Sequence, residues 1–233
     1  MNLKSNVLWL SLSMVFFASC LKNDDSYKGS ENVSAIEVIN ASSGSTSLDV
    51  ALDGNRLYAN YFNFGNRINY FRAYTGTRNF KVYNNNLGNN STAIFSKDIV
   101  LNNGKYYSAF IVDTAAKMDV IVLKDSTRGA GRDSVRIRFA NMSPDAPAID
   151  LYANGSNTPI LTNISYKTAS EFISFPSKAN VIFDIKPTGQ NTLLATLEPV
   201  NLYDGYVYTI WAGGYVSGSS AEGKQIKLKS FSH

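Results

Sequence analysis

The chain has 233 residues, 22 Lys+Arg against 18 Asp+Glu for a net charge of +4, 44% hydrophobic residues, one cysteine and one histidine. A single cysteine excludes a disulfide framework and a thiolate metal site within the chain, and a single histidine excludes multi-histidine constellations. The basic residues are scattered rather than clustered, so the charge does not predict nucleic acid as a partner.

The first element is an export signal over residues 1–19. Lys4 precedes an apolar run, Val7 to Ala18, that is too short for a bilayer span of about 20 residues and reads as the core of a secretory signal. It ends at Phe17-Ala18-Ser19-Cys20. This ending resembles the lipobox of bacterial lipoproteins, with Phe17 where Leu is usual. The resemblance implies that Cys20 takes a diacylglycerol, that the signal is cut before it, and that the membrane is a partner through this lipid. Residues 20–32 read as a flexible tether rich in Gly, Ser and Asn. Asp24 and Asp25 resemble the export signal of Bacteroidetes surface lipoproteins. That implies the outer face of the outer membrane, with a periplasm-facing anchor as the alternative.

Beyond the tether the chain repeats itself. Ile36–Gly54 aligns without a gap on Ile137–Gly155, an offset of 101, with identity at Ile36/Ile137, Asn40/Asn141, Ser42/Ser143, Asp49/Asp150 and Gly54/Gly155. The same offset returns where Leu101-Asn-Asn-Gly104-Lys-Tyr-Tyr107 lies over Leu202-Tyr-Asp-Gly205-Tyr-Val-Tyr208. Two domains follow, 33–127 and 133–233, with a linker at 128–132 inside the Gly/Arg-rich stretch from Thr127 to Arg132.

Each domain reads as strands. Val135–Phe139 and Val181–Lys186 alternate apolar with polar residues, and further strands are expected near 149–151, 170–175, 193–197, 206–211 and 225–229. Asn154-Gly155, Pro187-Thr-Gly189 and Asp204-Gly205 mark turns. No long 3.6-residue apolar pattern appears after residue 33. The expected fold is all-β: two tandem immunoglobulin-like sandwiches, each of about seven short strands.

The stretch Asn141-Met-Ser-Pro144-Asp145-Ala-Pro147-Ala-Ile-Asp150-Leu-Tyr152-Ala-Asn-Gly155, with Asn163–Tyr166 and Tyr206–Ala212, resembles the family catalogued as domain of unknown function 4397. Its members are secreted or lipid-anchored bacterial proteins, often with the domain in tandem, and no activity comes with the resemblance. The first domain has Ser43 and Thr46 in place of the two prolines and resembles the family through the repeat. Ser-Pro-Asp-Ala-Pro reads as a rigid turn whose Asp145 accepts backbone N–H groups.

The chemistry is sparse. His233, at the last position, is expected to be frayed, which removes His-based catalysis and metal binding. Glu37, Asp150 and Asp184 fall on alternating strand positions expected to face solvent, so a carboxylate-pair mechanism finds no site. No enzyme and no cofactor or metal is expected. Phe62 and Phe64 align with Ile164 and Tyr166 and are expected in the core, which leaves Tyr61, Tyr70, Arg72 and Tyr74 facing outward. Tyr61, Tyr70 and Tyr74 are then a candidate glycan-stacking patch. Asp113-Thr114-Ala115, Asp125-Ser126-Thr127 and Asp133-Ser134-Val135 resemble the O-glycosylation motif of Bacteroidetes exported proteins, with Thr114, Ser126 and Ser134 as acceptors. The reading is a lipid-anchored, non-enzymatic envelope protein for adhesion or protein interaction. The alternatives are a glycan-binding accessory of a polysaccharide-uptake system and a structural envelope component.

Overall fold

Short alternating runs punctuated by Gly, Asn and Asp fold only into strands in the computed structural model, which describes residues 32–44, 47–84, 92–218 and 224–233, without the side chains of 58–61. The expected export signal, the expected lipid site Cys20 and residues 21–31 lie outside them. The first repeat supplies β1 (Val33–Asn40), β2 (Leu48–Leu52), β3 (Asn55–Phe62), β4 (Arg67–Tyr74), β5 (Gly76–Asn84), β6 (Phe95–Leu101), β7 (Tyr106–Val112) and β8 (Asp119–Lys124). The second supplies β9 (Ser134–Met142), β10 (Ile149–Ala153), β11 (Leu161–Ile164), β12 (Thr168–Ala169), β13 (Ile173–Pro176), β14 (Val181–Pro187), β15 (Ala195–Val200), β16 (Val207–Gly213) and β17 (Lys227–Ser232).

Both repeats make the same two layers. In the first, the sheet β4-β1-β7-β8 faces β3-β2-β5-β6; in the second, β12-β9-β16-β17, with β13 also on β9, faces β11-β10-β14-β15. Pairing is antiparallel except for β1 with β7 and β9 with β16, which run parallel. The repeated residues explain themselves locally. Asn40 donates from Nδ2 to Phe62 O and accepts the N–H of Ser42; Asn141 does the same with Ile164 O and Ser143. Asp53-Gly54 forms a two-residue hairpin turn with both φ positive (50° and 82°), which Gly tolerates without strain. The Ser143–Pro147 segment is a turn between β9 and β10.

Each sandwich has its own core. The first is built on Ile36, Val50, Phe62, Phe80 and Ile111, and the second on Ile137, Phe139, Leu151, Phe183 and Ile210. A third apolar cluster joins them: Ile39, Ala41, Phe110 and Val112 from the first repeat meet Ala140, Met142 and Trp211 from the second. Phe64 packs there, edge-on to Trp211 at 6.0 Å, rather than in the first core. The outer faces of β1, β7, β9 and β16 are therefore covered by one another.

Candidate functional site at the junction of the two sandwiches

The covered faces carry a polar cluster whose members come in equivalent pairs. Glu37 sits opposite Ser108 in the β1–β7 register, and Arg138 sits opposite Thr209 in the β9–β16 register. Asp125 N–H donates to Tyr106 O just past β8, and His233 N–H donates to Val207 O just past β17. The first sandwich thus contributes Glu37, Ser108 and Asp125, and the second contributes Arg138, Thr209 and His233 at the same three places. Acid in one repeat meets base in the other.

Arg138 spreads over the whole cluster. It is ion-paired with Asp125, and donates from Nε to Thr209 Oγ1 (2.9 Å), from Nη1 to Lys124 O (2.9 Å) and from Nη2 to Ser108 Oγ (3.2 Å). The Phe172 ring covers its guanidinium at 4.8 Å. Arg67 holds the far oxygen of Glu37 at 3.2 Å. Tyr70 donates to Asp125 Oδ2 at 2.6 Å and lies 2.7 Å from His233 Nδ1, while Thr209 Oγ1 lies 2.7 Å from Nε2. Since the one phenolic proton of Tyr70 goes to Asp125, the Nδ1–H tautomer of His233 satisfies both ring contacts. Burial, then the charges of Asp125 and Glu37, push the Tyr70 hydroxyl pKa far above its ordinary 10.0.

Three expectations are corrected here. His233 is not frayed: its side chain is 2% exposed, enclosed by Tyr70, Phe172 and Phe231. Glu37 is fully buried because the second sandwich covers the face that alternation assigned to solvent. Asp150 is buried too, and accepts the Asn163 N–H and the Thr188 hydroxyl. With His233 in place, one donor atom each from Glu37, Asp125 and His233 falls within 4.8 Å, a set that could in principle ligate a cation. Both carboxylates already hold guanidinium partners and both ring nitrogens hold hydroxyls, so a cation would displace an existing network. The cluster reads as the clasp between the sandwiches.

Above the clasp lies a cleft of about 330 Å³, lined by Tyr70, Tyr106, Tyr206, Thr127, Gly129 and Gly205, among others. The linker passes so close that a Cβ on Gly129 would lie 2.5 Å from Gly205 O. Tyr106 stands edge-on to Tyr70 at 5.5 Å, and Tyr206 is 51% exposed beside Tyr203. Of the three tyrosines singled out by alternation, Tyr70 lines this cleft with its hydroxyl committed to the clasp. Tyr74 is exposed at the end of β4 and does not line the cleft, and the side chain of Tyr61 lies outside the described residues. Tyr106 and Tyr206 were missed; their signal was the pair of repeated Gly turns at Gly104 and Gly205 that ends in a tyrosine cluster each time.

The three motif hydroxyls are half-buried. Thr114 follows Asp113, whose carboxylate takes the hydroxyls of Tyr166 and Tyr215 across the junction at 3.4 and 3.3 Å. Ser126 accepts from Arg136, and Ser134 donates to Gly131 O; these two flank the linker. Asp145 does accept backbone N–H groups, from Val216 and Ser217 in the loop after β16, together with the Ser217 hydroxyl.

No curated protein matches the chain. Solved structures similar to it include the carbohydrate-binding module CBMbc, family CBM26, of Eubacterium rectale Amy13K in complex with maltoheptaose. That module shows 10% identity and a TM-score of 0.26 over 86% of this chain and 96% of its own. Another is described as alpha-glucan recognition by family 41 carbohydrate-binding modules from streptococcal virulence factors, at 11% identity and TM-score 0.25, covering 83% and 95%. A family model matches in two tandem segments, 34–152 and 140–227, and the chain therefore belongs to the family described as domain of unknown function (DUF4397).

Proposed function

We propose that this chain is a non-catalytic, lipid-anchored protein of the outer membrane, exposed at the cell surface, that binds carbohydrate in the tyrosine-lined cleft at the junction of its sandwiches. The observation that carries this reading is the cleft itself. A pyranose ring has an apolar C–H face that rests on an aromatic ring, while its hydroxyls need donors and acceptors close by. Tyr106 and Tyr206 offer partly exposed rings, and Thr127 with the backbone at Gly129 and Gly205 offers polar partners. The clasp beneath fixes Tyr70, so the cleft is formed before a ligand arrives and little ordering opposes binding. Anchoring rests on Cys20, the one cysteine available for a lipid.

The test is glycan-array retention by the chain and by its Tyr106→Ala/Tyr206→Ala variant. The expected result is a bound glycan class that the variant loses. Melting temperature should barely move, since partly exposed residues cost roughly 0.5 kcal/mol each. Undiminished retention by the variant, or no retention by the wild type, removes this site from consideration. For the anchor, Cys20→Ala should leave the membrane fraction, and continued fatty-acid labelling of that variant would overturn it.

A further inference from the structure

The outer strand of one sheet of the second sandwich borders a second cleft, which shares no lining residue with the tyrosine cleft. β17 is the outer strand of its sheet and β15 of the facing one. Where β17 passes the first sandwich there is a cavity of about 430 Å³, bounded by Gly65, Arg67, Leu197, Leu228 and Lys229, among others. A second cavity, of about 330 Å³, adjoins it between β15 and β17, sharing Leu197, Leu228 and Lys229; Glu198 of β15 and Lys227 of β17 are the other charged groups on its walls.

The first sandwich closes its own gap with a clasp. Lys97 on β6 donates to Asp119 Oδ1 (2.8 Å) and Val120 O (3.0 Å) on β8. The second sandwich has Lys227 at the register position of Asp119, since Val112 pairs with Asp119 as Gly213 pairs with Lys227. A cation therefore replaces the anion, and no side-chain ion pair joins β15 to β17 among the described residues. Two residues on, Lys229 is half-buried, and its ammonium makes no hydrogen bond or ion pair among the described residues. Gly65 lies so close that a Cβ there would sit 2.6 Å from Lys229 Nζ. Burial, then the charge of Lys227, draw the Lys229 pKa below its ordinary 10.5. The guanidinium of Arg67 lies over the Phe231 ring at 4.8 Å on the same wall. A half-buried ammonium without a counter-charge is a cost that an arriving anion relieves.

We propose that this cleft binds a small organic anion, a carboxylate or phosphate group carried on a sugar-sized body, with Lys229 as the charged anchor and Leu197 and Leu228 against the body. The size fits, since small-molecule sites run from about 300 to 1,000 Å³. Leu197 and Leu228 give a carried body an apolar contact among otherwise polar walls, which a bare ion cannot use. This site stands apart from the tyrosine cleft, and Tyr106→Ala/Tyr206→Ala leaves it intact.

Calorimetric titration of the full chain with methyl glucuronide, glucose 6-phosphate, inorganic phosphate and neutral methyl glucoside tests it. At least one of the two organic anions should bind, and which one does assigns the charged group as carboxylate or phosphate. Methyl glucoside should not bind. Lys229→Gln should weaken the organic anions roughly tenfold or more, as expected for a lost charge-assisted hydrogen bond. Lys229→Arg keeps the charge and should retain binding, with unchanged melting temperatures showing that both variants fold. Affinity should fall as pH rises through the lowered pKa of Lys229. Equal binding of methyl glucoside, binding undiminished in Lys229→Gln, inorganic phosphate binding as tightly as both organic anions, or no anion binding would each overturn the proposal.

Discussion

Arg138 is the residue on which the junction turns, because it is the cation that reaches Asp125 where neither side chain meets appreciable solvent. Replacing a buried ion pair by apolar groups is often neutral, but removing one partner strands the other charge. Arg138→Ala should therefore cost about 3–5 kcal/mol in a denaturant titration at neutral pH. A loss below about 1 kcal/mol, the scale of an exposed pair, would mean that water reaches Asp125 and that the clasp is loose. The sequence held part of this information. Glu37 and Arg138 align in the repeat as opposite charges on otherwise matching strands, and alternation assigned Glu37 to solvent. Alternation identifies the face of a strand and says nothing about what covers that face, so an acid buried at the junction looked like a surface charge. His233 was out of reach for a related reason: terminal position argues for fraying unless tertiary contacts hold the backbone, and here the N–H to Val207 O does.

At the scale of elements, the strands buried on both sides had a signature of their own. Tyr106–Val112 and Val207–Gly213 carry no charge and no alternation, as expected when two layers enclose a strand, and both run through the middle of the molecule. Most strands of the second repeat were legible from period and turn residues, β11 and β12 excepted, and those of the first only through the repeat; the bulge between Ile36 and Val38 in the β1–β4 register was not, since it depends on the partner strand. The Ser-Pro-Asp-Ala-Pro turn was legible as a turn, but the partners of Asp145 come from a loop some 70 residues away. Those partners give the turn a pH dependence. Burial alone would raise the Asp145 pKa, but the Ser217 hydroxyl and the Ser217 and Val216 N–H groups outweigh it and hold the value below 3.8. Because the unfolded chain then binds the proton more readily, the stabilisation is complete above about pH 4 and fades as pH falls through the folded value. In Asp145→Asn that acid slope should flatten, read as the difference in unfolding free energy between pH 5 and pH 3. An unchanged slope would assign the acid sensitivity elsewhere.

For the whole molecule, the repeat made two cores readable, but not the third cluster that joins them, because an interface between repeats leaves no mark at the repeat period. The consequence is testable on the separated second sandwich, residues 133–233. Its own core of Ile137, Phe139, Leu151, Phe183 and Ile210 is complete without the first repeat, so the fragment should unfold cooperatively. It should also be less stable than in the intact chain, because Ala140, Met142 and Trp211 lose their cover and Arg138 and His233 lose their acids. Trp211 reports this directly: it is 1% exposed in the intact chain, and the other tryptophan, Trp9, falls in neither fragment. Its emission should be red-shifted in the fragment and return toward the blue on adding residues 32–127. That reassociation should weaken with Arg138→Ala, which tests the clasp and the apolar cluster together. A disordered fragment would mean that the repeats form one continuous fold. A folded fragment whose Trp211 emission ignores the first sandwich would mean that the two cores are neighbours without an interface.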